Sequence, residues 1–176
     1  MLLDPRSSRV VLVNPARGET PATSKGPARD ATLSLLQAGA DLFGTELIVV
    51  GDVQLSQIPE HVAHSFKLVN TSGLYFWDDQ QFAEALEGST AGAIVLGGAW
   101  LEEDVFIAAL EAARQGFDVR LLSDLTAPRV EADRALVLDR LALHGVLATT
   151  VRQLLLEWAV FLNDPLLKQH VRQLLS

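Results

Sequence analysis

An aspartate follows a glycine pair in the most apolar part of the chain. Residues 93–96 form an unbroken apolar run, Gly97 and Gly98 follow, and Asp104 lies about one turn into a segment with helical spacing. This order is typical of a buried parallel strand that passes into a helix. In open α/β sheets such a junction is where ligands bind, and a carboxylate there could act as a base or a nucleophile. Asp104 is therefore the first candidate for a functional residue.

Several other types of chemistry lack the residues that they need. The chain has no cysteine, which excludes a thiol nucleophile, a disulfide and a thiolate metal site. His61 and His64 are three residues apart and could share a helix face, but no third ligand is signalled, so no metal site is predicted. Gly97 and Gly98 lack the G-x-G-x-x-G spacing, and no glycine loop precedes Lys-Ser or Lys-Thr. We therefore expect no nucleotide and no other cofactor.

Alternating strand and helix patterns predict the elements that position Asp104. Short apolar or β-branched runs predict six strands, and Asn14 stands at the carboxyl end of the first. Strands that alternate with helices predict an α/β fold, with a doubly wound and mostly parallel sheet between two helical layers. We expect a single domain over residues 1–176. The predicted strands are 9–14, 46–50, 66–69, 92–97, 118–123 and 146–149, and the predicted helices begin near residues 30, 77, 105, 129, 151 and 166.

Charge and hydropathy restrict the partners of the chain. It has 14 Lys and Arg residues against 22 Asp and Glu residues, a net charge of −8, and no basic cluster, which argues against nucleic acid and anionic membranes. The longest uncharged run, residues 88–101, is too short to span a bilayer, and the start lacks the order of a signal peptide. We expect a cytoplasmic protein. The last predicted helix has an apolar stripe that packs either on its own domain or on another subunit, formed by Leu166, Leu167, Val171, Leu174 and Leu175.

The segment around Asp104 resembles the isochorismatase-like cysteine hydrolases, in particular a branch of small bacterial members of unassigned substrate. In that family the central strand runs into a Gly, two apolar residues, a Thr, an acidic or apolar pair and the nucleophilic Cys, and residues 98–104 read Gly-Ala-Trp-Leu-Glu-Glu-Asp here. The resemblance covers nearly the whole chain and implies the family's α/β/α fold and a homo-oligomer. Further matches are Trp77-Asp78-Asp79, Ala109-Leu110-Glu111-Ala112, Gly116, Asp124, Glu131, Arg134, Arg140, Gly145, Thr149-Thr150 and Glu157.

The residues that carry the family's chemistry are substituted in this chain. The resemblance implies an Asp base at the end of the first strand, a Lys or Arg after the third strand, and the nucleophilic Cys. Asn14 stands at the base position and Asp104 at the Cys position. The cation position falls on Asn70 in an ungapped comparison, or on Lys67, the only cation nearby, after a shift of three residues.

The resemblance also implies a ligand pocket beside Asp104. The cis peptide bond that helps to form the family's oxyanion hole would join Trp100 and Leu101, and a Trp there would change the shape of the pocket. Trp77 is predicted to line the same pocket.

Two functional hypotheses follow. The first is a pseudoenzyme that keeps the hydrolase fold to bind a small molecule or to assemble, since nucleophile and base are lost together and a carboxylate is a poor nucleophile toward amides. The second is an active hydrolase of a small amide, ester or vinyl ether that uses Asp104 with Lys67 as its charge partner. Asp104 buried beside Asn14 in a pocket closed by Trp100 would favour the first hypothesis. Asp104 exposed to an open cleft and in contact with Lys67 would favour the second.

Overall fold

Six parallel strands form one sheet in the part of the chain that the computed structural model describes, residues 2–18, 27–52, 59–71, 76–86 and 92–176. They are β1 (Ser8–Val13), β2 (Leu47–Val50), β3 (Phe66–Val69), β4 (Ala93–Ala99), β5 (Asp118–Ala127) and β6 (Leu147–Thr149). Across the sheet they follow the order β3-β2-β1-β4-β5-β6, and each neighbouring pair is parallel. This order is that of a doubly wound α/β fold, as predicted.

Helices flank both faces of the sheet. Those in the described ranges are α1 (Pro27–Phe43), α2 (Glu60–Ala63), α3 (Gln80–Leu86), α4 (Asp104–Arg114), α5 (Arg134–Leu143), α6 (Val151–Leu162) and α7 (Pro165–Leu174). One hydrophobic cluster joins α1, α6 and α7 to one face, and a second joins α3, α4 and α5 to the other. Along β1, Val10 belongs to the first cluster and Val11 to the second, because successive side chains of a strand point to opposite faces. The predicted three-layer arrangement is confirmed.

The two central strands, β1 and β4, approach each other very closely at their carboxyl ends. Val13 is the register partner of Gly98. Gly98 has φ of +120°, and a Cβ atom at this position would lie 1.9 Å from the carbonyl oxygen of Val13. Only glycine fits here, since both the backbone angle and the space exclude a side chain. This contact brings the residues that follow β1 and β4 to the same edge of the sheet.

Strand β5 is longer and less regular than the predicted strand 118–123. Leu96 on β4 pairs with Leu121, but Gly98 pairs with Thr126, so β5 bulges between these two positions. Asp124 therefore lies inside the strand and not after its end. Such an irregularity re-aims side chains next to a site, and the alternation of apolar residues alone does not predict it.

Helix α5 begins later than predicted, at Arg134 and not near residue 129. The carboxylate of Glu102 accepts the backbone N–H groups of Arg129 at 2.7 Å and Val130 at 3.1 Å, which keeps these residues out of the helix. Residues Glu131–Asp133 then form a short 3-10 helix that leads into α5. The expectation of a helix from residue 129 was wrong for this reason.

The apolar stripe of the last helix packs mainly within the domain. Val171 on α7 is buried in the cluster that also contains α1 and α6, and Leu167 and Leu175 pack against it. Leu166 and Leu174 on the same stripe are exposed. None of the helices in the described ranges combines the length and the apolar character that crossing a membrane requires.

Candidate functional site

Three chain segments meet where the parallel strands end. Asn14 directly follows β1, Asp52 follows β2 after one glycine, and Asp104 begins α4 shortly after β4. Because β2, β1 and β4 are neighbours in the sheet, their carboxyl ends lie side by side. In a doubly wound sheet this edge is the usual place of a ligand site.

Asn14 is held in one orientation by three hydrogen bonds. It is 6% exposed, and its backbone adopts the left-handed conformation with φ of 43°. Its backbone N–H donates to the carbonyl oxygen of Val50 at 2.8 Å. Its Oδ1 accepts the backbone N–H of Asp52 at 2.8 Å, and its Nδ2 donates to Oδ2 of Asp104 at 2.5 Å. A donor and an acceptor face the two ends of the amide, which fixes its oxygen and nitrogen positions.

Gly51 makes this arrangement of Asn14 possible. A Cβ atom on Gly51 would lie 2.1 Å from Oδ1 of Asn14, and Gly51 has φ of +84°. A side chain at position 51 would therefore displace the amide from the N–H group that it accepts. The glycine between β2 and Asp52 is part of the site for this reason.

Asp104 is a buried carboxylate with two charged or polar partners. It is 6% exposed and is the first residue of α4. A negative charge is favoured in the first turn of a helix, where the backbone N–H groups are unpaired. Its Oδ2 accepts hydrogen bonds from Nδ2 of Asn14 at 2.5 Å and from Nη1 of Arg17 at 2.7 Å. The predicted meeting of Asn14 and Asp104 is present in the structure.

Arg17 is a site residue that the sequence did not reveal. It belongs to the short 3-10 helix Pro15–Gly18, and its backbone N–H donates to the carbonyl oxygen of Asn14 at 3.0 Å. Its guanidinium joins two carboxylates, with Nε 2.5 Å from Oδ2 of Asp52 and Nη1 2.7 Å from Oδ2 of Asp104. The only signal in the sequence was a cation three residues after Asn14, in a segment without periodicity.

Lys67 and Asn70 lie apart from Asp104. Lys67 is an exposed residue of β3, in register with Ile48 of β2, and Asn70 is the exposed residue that follows β3. Strand β3 is separated from β4 by β2 and β1, which places it about 14 Å away at the usual strand spacing. The hydrogen bonds and ion pairs of Asp104 within the described chain reach Asn14 and Arg17. The cation that pairs with Asp104 in the described chain is Arg17, and the assignment of the family's cation position to Lys67 or Asn70 stays a prediction.

The three predicted pocket residues have different environments. Leu101 is fully buried in the hydrophobic core, and its N–H donates to the carbonyl oxygen of Ala127 at 2.9 Å. Trp100 is partly exposed, with the guanidinium carbon of Arg129 at 5.1 Å from the centre of its ring. Trp77 stacks on Phe76 in an aromatic cluster that also contains Phe82 and Phe117, with centroid distances of 4.8–6.0 Å. The pocket itself stays a prediction.

The cis peptide bond lies one residue earlier than predicted. It joins Ala99 and Trp100, and not Trp100 and Leu101. Ala99 is the last residue of β4, so the bond marks the end of the strand, and the residue-by-residue comparison placed it too late.

Comparison with known proteins identifies the fold. No protein-family model and no curated protein matches the sequence. Among solved structures, the chain is similar to the YcaC gene product of Escherichia coli, which is described as an octameric hydrolase of unknown specificity. The two share 19% identity with a TM-score of 0.77, and the match covers 97% of this chain and 88% of that one. A cysteine hydrolase from Pseudomonas syringae pv. phaseolicola 1448A matches with 12% identity, a TM-score of 0.74, and 91% and 96% coverage.

A third similar structure carries the family name. It is an isochorismatase-like hydrolase from Alkaliphilus metalliredigens, with 16% identity, a TM-score of 0.61, and coverage of 84% of this chain and 96% of that one. This chain has the isochorismatase-like hydrolase fold. The resemblance read from the motif around Asp104 agrees with the architecture of the whole molecule.

Within the isochorismatase-like fold, Asp124 lies on β5, next to β4, and binds the backbone at the start of α6. Both of its carboxylate oxygens accept the backbone N–H of Val151, at 3.2 and 3.0 Å, at the beginning of α6. Partial burial raises the pKa of Asp124 above its usual value, and the hydrogen bond from Val151 opposes this rise. Arg134 holds the bulge around Asp124, since its guanidinium donates to the carbonyl oxygens of Ser123 at 3.3 Å and Thr126 at 3.2 Å.

The two histidines considered as metal ligands belong to another part of this isochorismatase-like domain. Nε2 of His61 lies 3.0 Å from Oγ of Ser34 on α1, within hydrogen-bond distance. Within the described ranges, no group of three or more His, Cys, Asp or Glu side chains is arranged to hold a metal ion.

Proposed function

We propose that this chain is a catalytically degenerate protein of the isochorismatase-like fold, which binds a small molecule at the carboxyl edge of its sheet without thiol chemistry. The sequence has no cysteine. Asn14 and Asp104 occupy the positions that the resemblance assigns to the base and the nucleophile. An amide cannot accept a proton in the way that a carboxylate base does, so the exchange at position 14 removes the proton acceptor as well.

The contacts of Asp104 are the observation that carries this proposal. Its Oδ2 accepts hydrogen bonds from both Asn14 and Arg17, and only 6% of the residue is exposed. Both hydrogen bonds fall on Oδ2, and a carboxylate that is buried and stabilised by a cation is a weaker nucleophile than a free one. The arrangement is therefore better suited to shape and charge a binding site than to form a covalent intermediate.

An assay with a panel of small amides, esters and vinyl ethers tests the proposal. We expect no turnover above the uncatalysed rate, while some members of the panel raise the melting temperature of the protein. Turnover that Asp104→Ala abolishes, and that Asp139→Ala on the exposed side of α5 leaves intact, would overturn it.

The alternative is an active hydrolase in which Asp104 works with Lys67. It has less support, because the polar partners of Asp104 are Asn14 and Arg17, and Lys67 lies on β3 beyond two other strands. The same assay decides between the two functions. An active protein that loses its turnover in Lys67→Gln would establish the alternative.

Assembly is the second part of the proposed function. The similar Escherichia coli structure is described as octameric, and α6 exposes three large apolar side chains, Leu156, Val160 and Phe161. We propose a homo-oligomer on this basis. Light scattering after gel filtration should give a multiple of the 19.1 kDa chain mass, and a species of that single mass at micromolar concentration would contradict it.

A further inference from the structure

Position 104 faces charges from several elements. Arg17 lies after β1 and Asp52 after β2, and they are linked to each other at 2.5 Å. Glu103 precedes Asp104 and pairs with Arg129 at 2.5 Å. Arg129 lies near enough for Asp104 to contribute to the rise of its pKa, although Glu103 is the main cause. Arg17 differs from Arg129 in one respect: it donates directly to Oδ2 of Asp104, at 2.7 Å.

The guanidinium of Arg17 is suited to act on the charge of the group at position 104. A fixed cation within hydrogen-bond distance stabilises the anionic form of its neighbour, and the low exposure of Asp104 reduces the screening of this pair by water. The side chain of Arg17 is itself 43% exposed, so the effect is smaller than that of a fully buried pair.

We propose that Arg17, and not Lys67 or Asn70, is the cation that stabilises an anion at position 104. In the family that this chain resembles, the cation is expected after the third strand. Here the turn after β1 supplies it, in the same hydrogen-bond network as Asn14. The inference concerns electrostatics alone, so it holds whether or not the protein turns a substrate over.

The chain offers a clean experiment because it contains no cysteine. Asp104→Cys introduces a single thiol at the position in question, and its ionisation can be followed through the rate at which the thiolate displaces iodide from iodoacetamide as the pH is raised. The neighbouring guanidinium and the start of α4 should bring the apparent pKa of this thiol below the ordinary value of about 8.5. The same variant in concentrated urea gives the reference value.

Second substitutions in the Asp104→Cys protein identify the cation. Adding Arg17→Gln should raise the apparent pKa of the thiol by about 1 unit, a loss of about tenfold in thiolate near neutral pH. Arg17→Lys keeps the charge and should retain most of the lowering. Lys67→Gln and Arg129→Gln are matched controls that remove one cation each. Lys67→Gln should leave the titration almost unchanged. Arg129 pairs with Glu103, so Arg129→Gln should raise the apparent pKa of the thiol by clearly less than Arg17→Gln does.

Two results would overturn the proposal: a titration that does not move when Arg17 becomes Gln, or a shift of equal size in Lys67→Gln or Arg129→Gln. Thermal melting of each variant shows that it is folded. If Arg17→Gln does not fold, Arg17→Met is a second neutral variant with a long side chain, and the same comparison with Arg17→Lys applies. A merely structural role of Arg17 would change the melting temperature without moving the thiol titration.

Discussion

The amide of Asn14 donates through Nδ2 to Oδ2 of Asp104 at 2.5 Å, while its oxygen accepts the N–H of Asp52 at 2.8 Å. An amide is the only side chain of this shape that satisfies both neighbours at once, because one needs a donor and the other needs an acceptor. Asn14 is therefore matched to a carboxylate at position 104, and the two residues have to be considered as a pair.

Asn14→Asp should destabilise the protein at neutral pH. The substitution replaces the donor with a second carboxylate oxygen beside Asp104, and two adjacent buried carboxylates raise the pKa of one of them. Stability is then present at low pH, where one proton is bound, and is lost as the pH rises through the raised pKa. Urea unfolding should show a loss of about 1–3 kcal/mol at pH 7 and a smaller loss at pH 4.

The exchanged pair provides the control for this prediction. Asn14→Asp combined with Asp104→Asn restores one donor and one acceptor and should recover part of the lost stability at pH 7. If the single variant is as stable as the parent at pH 7, the hydrogen bond between the two side chains does not have the importance that its geometry indicates.

Gly98→Ala should be severely destabilising. The new methyl group would lie 1.9 Å from the carbonyl oxygen of Val13, so β1 and β4 would have to separate, at a cost of about 3 kcal/mol or more. Gly116→Ala is a matched control, since Gly116 has φ of +90° and no atom within 4 Å of its Cβ position. Its cost should be about 1 kcal/mol from backbone strain alone. If chemical denaturation shows that Gly98→Ala and Gly116→Ala lose equal amounts of unfolding free energy, the close approach of β1 and β4 is contradicted.

Asp124→Asn should change the pH dependence of stability. Burial raises the pKa of Asp124, so the folded state binds a proton more readily than the unfolded chain and loses stability as the pH rises from about 4 through the raised pKa. The variant keeps an oxygen that can accept the N–H of Val151 and lacks this titration. Melting curves between pH 3 and 7 should show that the melting temperature of the variant increases relative to that of the parent as the pH rises. Asp139→Asn, on the exposed side of α5, is the control, and its melting temperature should depend on pH in the same way as that of the parent.

Trp158→Ala should cost about 3–5 kcal/mol. Trp158 on α6 is fully buried, and its ring packs edge to face on that of Phe43 on α1, with a centroid distance of 5.4 Å. Both belong to the hydrophobic cluster that joins α1, α6 and α7 to the sheet. Trp158→Phe should cost much less, because it leaves a smaller cavity and removes an indole N–H that has no hydrogen-bond partner in the described chain. Similar losses for the two variants in denaturant titrations would show that the volume of the ring is not what stabilises this face.

The sequence predicted the central strands well because they are buried on both faces, and the edge strand β3 was predicted although Lys67 and Leu68 are exposed. A short, continuous apolar run that ends at glycines, such as residues 93–96, is typical of a strand buried in this way, and β3 coincides with the predicted strand 66–69. The end of β5 and the start of α5 were missed because both depend on hydrogen bonds between a side chain and a distant backbone group. Arg134 donates to carbonyl oxygens of β5, and Glu102 accepts the N–H groups of Arg129 and Val130. Periodicity carries no information on such contacts.

The site was predictable only where residues stand at the ends of strands. Asn14 and Asp104 follow neighbouring strands, so strand order alone brings them together. Arg17 reaches Asp104 from a 3-10 turn, and the direction of a side chain on such a turn does not follow from the spacing of residues along the chain. The expectation of a cation at Asn70 or Lys67 came from a linear comparison, and it stays a prediction.

The paired requirement at positions 14 and 104 has a consequence for descent. If the chain arose from a thiol hydrolase of this fold, neither single reversion restores an acid beside a thiol. An acid restored at position 14 alone faces the carboxylate of Asp104, and a thiol restored at position 104 alone has an amide where its base should be. Return from the Asn14–Asp104 arrangement to an acid–thiol pair therefore takes two substitutions, and each one alone leaves a mismatched pair of side chains.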